Sequence, residues 1–467
     1  FKRIIPFMKT LEVVNPFDLK SIGSVTLCDW DITDRYLKIS DDLFRNRKSW
    51  LSIEERIRIL KKVVQIMLGR SEQLAFLIAN EGGKPLIDAR VEVARAIDGV
   101  EICIKELSHA VGEEIPMGLT TASTHKLAFT IREPIGPVLA ISAFNHPLNL
   151  IIHQVMPAVA VGCPVLVKPA DDTPLSCEAL VNILYEAGLP KEWCSFVPCE
   201  LKVAEQLVAD PRIAFLTFIG SAKVGWMLRS KIAPGVRCAL EHGGCAPVIV
   251  DTNIDTVTMV PKLVKGGFYH SGQVCVSVQR VYAPKNDAKD IADQIAKSAS
   301  KLVVGNAIDE KTECGPLIRP REVDRVSQWV DEAIAEGGQL MCGGEKVGQT
   351  CYTPTVILNP APNSKVSTQE IFGPVVCVYS YEDVEEAFAA ANKLPFAFQS
   401  AVFTNRIDFG FRAIQSLDAS AVMVNEHTAF RVDWMPFAGR KQSGYGVGGI
   451  PYTMRDMTQD KMIVFSV

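Results

Sequence analysis

A chain of 467 residues, 48% hydrophobic and 22% charged, is long enough for about two or three domains with a large buried core, which excludes a disordered chain, a collagen-like chain and a heptad rod. Lys and Arg number 49 against 53 Asp and Glu, a formal charge of −4 with no basic cluster, which argues against nucleic-acid and membrane partners. The 13 cysteines lie scattered, with no CxxC pair and no histidines at zinc spacing, and so read as a reduced, cytoplasmic protein without a metal site.

The opening Phe1-Lys2-Arg3-Ile4-Ile5-Pro6 is too short and too broken for a secretory signal. Ser52-Ile53-Glu54-Glu55 has the form of a capping box, and Ile53, Ile57, Leu60, Val64 and Met67 follow at helical spacing. A second helix carries Val91, Ala94, Ile97, Val100 and Ile104. Residues 113–116 and 126–132 read as strands around a Gly/Thr/Ser-rich connection, forming a hairpin arm. Residues 135–167 contain no Asp, Glu, Lys or Arg, but Gly136-Pro137, Asn145-His146-Pro147 and Gly162-Cys163-Pro164 interrupt them. A membrane helix needs about 20 continuous apolar residues, so strand, helix, strand is the better reading. Apolar runs at 139–143, 165–167, 214–219, 236–240 and 248–250 alternate with helical segments, as in an open, mostly parallel α/β sheet. A second alternation, from about 255 to 424, includes runs at 279–283, 375–379 and 421–424. No polar linker separates the halves. The apolar end, 461–467, is suited to pair with another strand.

Open α/β sheets bind ligands outside the carboxyl ends of their strands. The residues just past the apolar runs are Asn145, Lys168, Gly220-Ser221 and Glu241, the last followed by Gly243-Gly244. Nucleotide binding follows from this rim, although none of these strands leads into the G-x-G-x-x-G of the ordinary Rossmann fingerprint. Cys275 in Gly272-Gln273-Val274-Cys275 is one cysteine among many, and composition alone makes it inert packing.

Its company changes that reading. Phe144-Asn145-His146-Pro147-Leu148, Val167-Lys168-Pro169-Ala170, Phe218-Ile219-Gly220-Ser221, Glu241-His242-Gly243-Gly244, Gly272-Gln273-Val274-Cys275, Gln369-Glu370-Ile371-Phe372-Gly373-Pro374 and the stretch from Met435 to Gly444 resemble, in this order, the aldehyde dehydrogenase superfamily. The resemblance implies an α/β fold with a Rossmann-type cofactor domain (1–112 and 134–240), an α/β catalytic domain (241–428) and an oligomerisation arm (113–133 and 445–467) serving a homodimer or homotetramer. It implies Cys275 as nucleophile, Asn145 and the Cys275 N–H as oxyanion donors, and Glu241 as the base that activates water on a thioester. Lys168, Asp171, Gly220, Ser221, Gly243, Glu370 and Phe372 would contact the cofactor. That cofactor would be NAD, with NADP as the alternative, because a carboxylate at Asp171 accepts from a 2′-hydroxyl and repels a 2′-phosphate.

The motifs around Cys275 and over 430–437 look most like the branch holding lactaldehyde, phosphonoacetaldehyde and non-phosphorylating glyceraldehyde-3-phosphate dehydrogenases. That branch points to Arg95, His153 and Arg431 as partners of an anionic or hydroxylated small aldehyde. Phe437 and Trp434 would wall a tunnel or fill the core. Arg95 has Glu92 and Glu101 as alternative partners along its helix. Val274 is apolar where some anion-binding relatives carry Arg. Ile219, His242, Ala438 and Val447-Gly448 stand where Thr, Leu, Gly and Arg-Glu are common, which bears on the tunnel mouth, the nicotinamide pocket and subunit contacts. Three other readings remain at this point: a CoA-acylating semialdehyde dehydrogenase, a non-catalytic member of the fold, and a thiol hydrolase in which His270 activates Cys275.

Overall fold

A computed structural model describes residues 9–467, so the opening hexapeptide lies outside the described residues. A six-stranded sheet runs in the order Gly444–Tyr445, Arg237–Glu241, Phe215–Ile219, Val138–Ile141, Val165–Lys168, Cys194–Phe196. All neighbours are parallel except the Gly444–Tyr445 edge. Alternate residues face opposite layers: Val138, Ala140, Val165 and Val167 enter one apolar core, while Leu139, Ile141 and Leu166 enter another. Burial on both faces explains why these strands are unbroken apolar runs.

Helices Ile53–Gly69, Leu86–Glu106 and Asn149–Val161 pack on the first of these faces. The capping box forms: Ser52 Oγ accepts from the Glu55 N–H, and the Glu55 carboxylate accepts from the Ser52 N–H. Leu60, Val64 and Met67 are buried there, but Ile53 is exposed. In Leu86–Glu106 the buried stripe is Val93, Ala96, Ile97, Val100 and Cys103, and Val91 and Ala94 face outward. The face is turned from the expected one because a carboxylate, Glu92, occupies a core position. Every residue of Asn149–Val161 is buried. Among the described residues no helix is long and apolar enough to cross a membrane.

A seven-stranded sheet follows, ordered Gln339–Cys342, Thr355–Leu358, Val375–Tyr381, Arg280–Pro284, Pro247–Val250, Gln399–Phe403, Ala421–Val424, with only the first edge antiparallel. The expected hairpin is present: Glu114–Ile115 pairs with Lys126–Pro134, whose other side pairs with the C-terminal strand Thr458–Ser466. Within 445–467, the helix Ile450–Asp456 instead sends Ile450 and Met454 into the core of the six-stranded sheet.

Candidate active site

The carboxyl ends of the six-stranded sheet open on a cavity of about 630 Å³, closed on the far side by the segment that holds Cys275. Asn145, Lys168, Asp171, Gly220, Ser221, Glu241, Gly243, Cys275, Glu370, Phe372, Arg95, Arg431 and Phe437 all line it. His153 does not.

Cys275 follows a turn, Tyr269–Gly272, in which His270 (φ 49°), Ser271 (φ 55°) and Gly272 (φ 71°) hold left-handed backbone. Such a run is costly for non-glycine residues and must be held from outside. Ser271 Oγ donates to Gly315 O at 2.7 Å, and Gln273 Oε1 accepts from the Ile318 N–H at 3.0 Å. A Cβ on Gly272 would lie 2.1 Å from Gly373 O, so only glycine lets the turn press against the 369–374 motif. The Asn145 amide donates to Gln273 O at 2.9 Å, tying the strand-end asparagine to the cysteine segment and leaving its second N–H for the cavity. Burial pushes the Cys275 thiol up to about 12, while Arg431 pulls it down.

Glu241 ends its strand beside Gly448, where a Cβ would sit 1.9 Å from Glu241 Oε1. Burial raises the Glu241 carboxyl, and Arg431 opposes the rise. The departure at 447–448 thus has a function here: the missing side chain is the space that the carboxylate fills. Gly448→Ala is expected to displace Glu241 and to slow turnover by about 100-fold, since a misplacement near 1 Å has that effect. Steady-state rates beside a thermal melt check this, with a modest drop in melting temperature as well, because the Cβ would also lie 2.9 Å from Phe437 O.

On the cofactor side, Glu370 Oε1 is buried without a hydrogen-bond partner, and a Cβ on Gly243 would lie 1.7 Å from it. Burial pushes the Glu370 carboxyl up to about 8. An orphaned buried carboxyl oxygen could take a hydroxyl of a bound ligand. The Phe372 ring meets Phe144 edge-on at 5.8 Å. Gly220 and Ser221 precede helix Ala222–Arg229, and the Ser221 side chain makes no capping bond, so the first N–H groups stay open to an anion. Lys168 Nζ donates to Pro169 O at 3.0 Å and to Asp171 Oδ1 at 2.7 Å. These features fit a dinucleotide. The Asp171 carboxylate is not bare, however: Lys168 offsets its charge, and with it the expected repulsion of a 2′-phosphate.

On the substrate side, Arg95 pairs with neither Glu92 nor Glu101. Its Nε and Nη2 reach Asp433 at 3.1 and 2.7 Å. His153 lies behind the cavity wall, one turn past the lining residues Asn149 and Leu150 of its helix, because its ring turns to Asp433, with Nε2 2.7 Å from Oδ1. Its Nδ1 is 3.3 Å from Arg431 Nη2. Burial, then Arg431, holds the His153 pKa down to about 4, so the ring is neutral. Arg431 can only donate, so Nδ1 accepts and the ring proton sits on Nε2, donated to Asp433. The Arg431 guanidinium lies 3.5 Å over the Phe437 ring. Trp434 is exposed and lies outside the lining.

Asp433 is therefore a hub that sequence reasoning passed over; its only signal was an acid two residues after Arg431. Glu92, expected at most as a partner of Arg95, has a different role. Its Oε1 accepts from the Leu148 and Asn149 N–H groups, both at 3.0 Å, and its Oε2 from Lys84, in a pair wholly shielded from water. This carboxylate caps the helix that begins four residues after Asn145. His270, required by the thiol-hydrolase reading, has both ring nitrogens buried without partners and does not line the cavity. Among the described residues no histidine hydrogen-bonds to Cys275.

The aldehyde dehydrogenase family pattern matches residues 6–463. A 3-sulfolactaldehyde dehydrogenase of Priestia aryabhattai is 34% identical over 459 residues, covering 98% of this chain and 95% of that protein. The crystal structure of aldehyde dehydrogenase 21 from Physcomitrella patens, in complex with the reaction product succinate, superposes with a TM-score of 0.94 at 34% identity, covering 99% and 96% of the two chains. A glyceraldehyde-3-phosphate dehydrogenase from Methanocaldococcus jannaschii, complexed with NADP, gives 0.93 at 32% identity, over 99% and 100%. The likeness runs end to end and spans both sheets and the cavity between them: the chain belongs to the aldehyde dehydrogenase family.

Proposed function

We propose that the protein oxidises a small aldehyde bearing an anionic group to its carboxylic acid, using NAD or NADP. The observation that carries this reading is the bond from Asn145 to the segment of Cys275, in a cavity also lined by Glu241 and Arg431. Cys275 Sγ attacks the aldehyde carbon. The developing oxyanion is met by the second Asn145 N–H and the Cys275 backbone N–H. A nicotinamide dinucleotide held by the cofactor-side residues would supply the hydride acceptor, and loss of hydride from the former aldehyde carbon leaves a thioester on Cys275. Glu241 then takes a proton from water, which hydrolyses the thioester. Glu370 and Gly243 would seat a ribose, Phe372 would pack near the nicotinamide, and Lys168 with Asp171 would meet the other ribose. The pairing of Asp171 with Lys168 supports use of either dinucleotide.

Of the three substrate candidates, Arg431 is the one whose guanidinium is open to a ligand; Arg95 is engaged by Asp433, and His153 supports Arg431 from behind. The relatives' names support an anionic aldehyde, since they specify a sulfonated lactaldehyde, a phosphorylated glyceraldehyde and the product succinate. Glu241 in the cavity favours hydrolysis over transfer to CoA. The cofactor domain takes 1–112 and 134–240, and the catalytic domain 241–428. The strand Thr458–Ser466 exposes Met462, Val464 and Phe465, which supports a homodimer or homotetramer built through the arm. All 13 cysteines are free thiols, which suits the cytoplasm.

The test is reduction of NAD or NADP over a panel of sulfonated, carboxylated, phosphonylated and neutral aldehydes, with and without CoA. Turnover with anionic aldehydes that does not depend on CoA is the expected result. Strict CoA dependence, or reduction with no aldehyde, overturns the reading.

A further inference from the structure

Charged side chains on the cavity wall cancel in pairs. Lys168 meets Asp171 at 2.7 Å, Lys265 meets Asp88 at 2.7 Å, and Arg319 meets Asp172 at 2.6 Å. Arg95 lies in a two-point fork on Asp433. Among the basic side chains of the wall Arg431 is the exception. Among the described residues no carboxylate is in ion-pair contact with it, its Nε is buried without a partner, and its one hydrogen-bond partner is the neutral His153 ring, while the Glu241 carboxyl acts on it only from beyond contact distance.

Asp433 decides this count. Its Oδ1 receives Arg95 Nη2 at 2.7 Å, His153 Nε2 at 2.7 Å and Asn149 Nδ2 at 3.3 Å, and its Oδ2 receives Arg95 Nε. We propose that Asp433 is a specificity-determining residue: it takes up the charge of Arg95 and turns His153 Nδ1 toward Arg431, leaving one open guanidinium, so the pocket selects an aldehyde tail with one negative charge over a tail with two. This deepens the aldehyde-oxidation reading and rests on it. A carboxylate or sulfonate accepts two N–H bonds from one guanidinium edge. A second negative charge finds no unpaired cation in the pocket, since Arg95, Lys168, Lys265 and Arg319 already hold carboxylates, and it shares the pocket with the Glu241 carboxyl. An uncompensated charge in a dry site is heavily penalised. Asp433 acts through Arg95 and His153, without touching the substrate.

Sulfoacetaldehyde and phosphonoacetaldehyde form a matched pair. Both are two-carbon aldehydes with three oxygens on a tetrahedral head, and above neutral pH they carry about one and about two charges. The ratio of their kcat/KM values, sulfonate over phosphonate, is expected to be about tenfold or more in the unaltered holoenzyme, since close charge pairs are worth at least that. Asp433→Asn releases the Arg95 fork and should lower the ratio about tenfold. Arg95→Met leaves the Asp433 charge unbalanced and should raise it. A loss of folding or general damage would lower both rates together and could not move the ratio in opposite directions. In the unaltered protein, lowering the pH protonates the phosphonate and should bring the ratio toward one, a measurement that needs no variant.

A phosphonate preference in the unaltered protein, or a ratio that both variants move the same way, overturns the proposal. Calorimetric binding of the two aldehydes to the full-length Cys275→Ser chain gives the same ratio without turnover. Sulfonate-selective binding with no oxidation of any aldehyde refutes the oxidation reading and keeps the charge count. Oxidation with the ratio reversed refutes the charge count alone.

Discussion

Replacing Cys275 with Ala is expected to lower aldehyde-dependent reduction of the dinucleotide by about 10⁴-fold or more, the effect of removing a nucleophile whose partners act with it as a unit. The fold should not suffer. The left-handed turn before Cys275 is held by Ser271, by Gln273 and by the fit of Gly272 against Gly373, and none of these uses the thiol. Thermal melts and dinucleotide binding should therefore match the unaltered protein while NADH formation disappears. Residual turnover near the native rate would remove Cys275 from the mechanism. The same thiol sets a pH profile. Its pKa is pushed up to about 12 by burial, so the resting group is protonated at neutral pH. A raised thiol pKa means that the nucleophilic anion grows as pH rises, so single-turnover acylation should accelerate through the neutral and mildly alkaline range. A rate flat across that range contradicts this account.

Glu241→Gln should show a different failure. The amide cannot take a proton from water, and loss of a positioned general base slows a step by about 10²–10⁴-fold. If the Cys275 thiol gives its proton to solvent and not to Glu241, acylation continues without that base and the first turnover survives. Mixing enzyme with aldehyde and dinucleotide should give a burst of one reduced dinucleotide per chain, followed by a slow steady state. Intact-mass measurement should find the acyl group on Cys275. A slow rate from the first instant, without a burst, would assign Glu241 to an earlier step. In the unaltered protein, burial raises the Glu241 carboxyl above its ordinary 4.5, with Arg431 opposing. A raised carboxyl is protonated, and useless as a base, at higher pH than usual. Deacylation should therefore fall on acidification before an unperturbed carboxylate would titrate.

The sheets were legible because a strand buried on both faces must be apolar at every position, as Val138–Ile141 is. Edge strands such as Gln339–Cys342 and Gly444–Tyr445 carry no such run, since one side of each is open. The capping box at Ser52 was legible because both its bonds are local. The rim residues Asn145, Lys168 and Glu241 could be found because a strand's end fixes where the next polar group points. The charge pairing behind that rim could not. Arg95 and Asp433 are 338 residues apart, and no local pattern announces that they meet. The helical partners available to Arg95 were a reasonable guess from spacing, but Glu92 is drawn inward by two backbone N–H groups and by Lys84. His153 was misdirected for a related reason. The family branch pointed to His153 as a substrate partner, but only Asn149 and Leu150 of its helix reach the cavity, and the His153 ring turns to Asp433 behind them.

The Lys84–Glu92 pair also constrains how this sequence can drift or be redesigned. Removing one partner of a dry ion pair strands the other charge, at roughly 3–5 kcal/mol, whereas exchanging both for apolar groups of similar volume can be nearly neutral. Glu92 has a further obligation, because its second oxygen serves the two N–H groups that begin the helix after Asn145. A double apolar exchange would satisfy the charge balance and still leave those donors bare. The two positions are thus locked to one another and to the geometry of the oxyanion asparagine, so Lys84 and Glu92 can change only in a chain that finds another acceptor for the start of that helix.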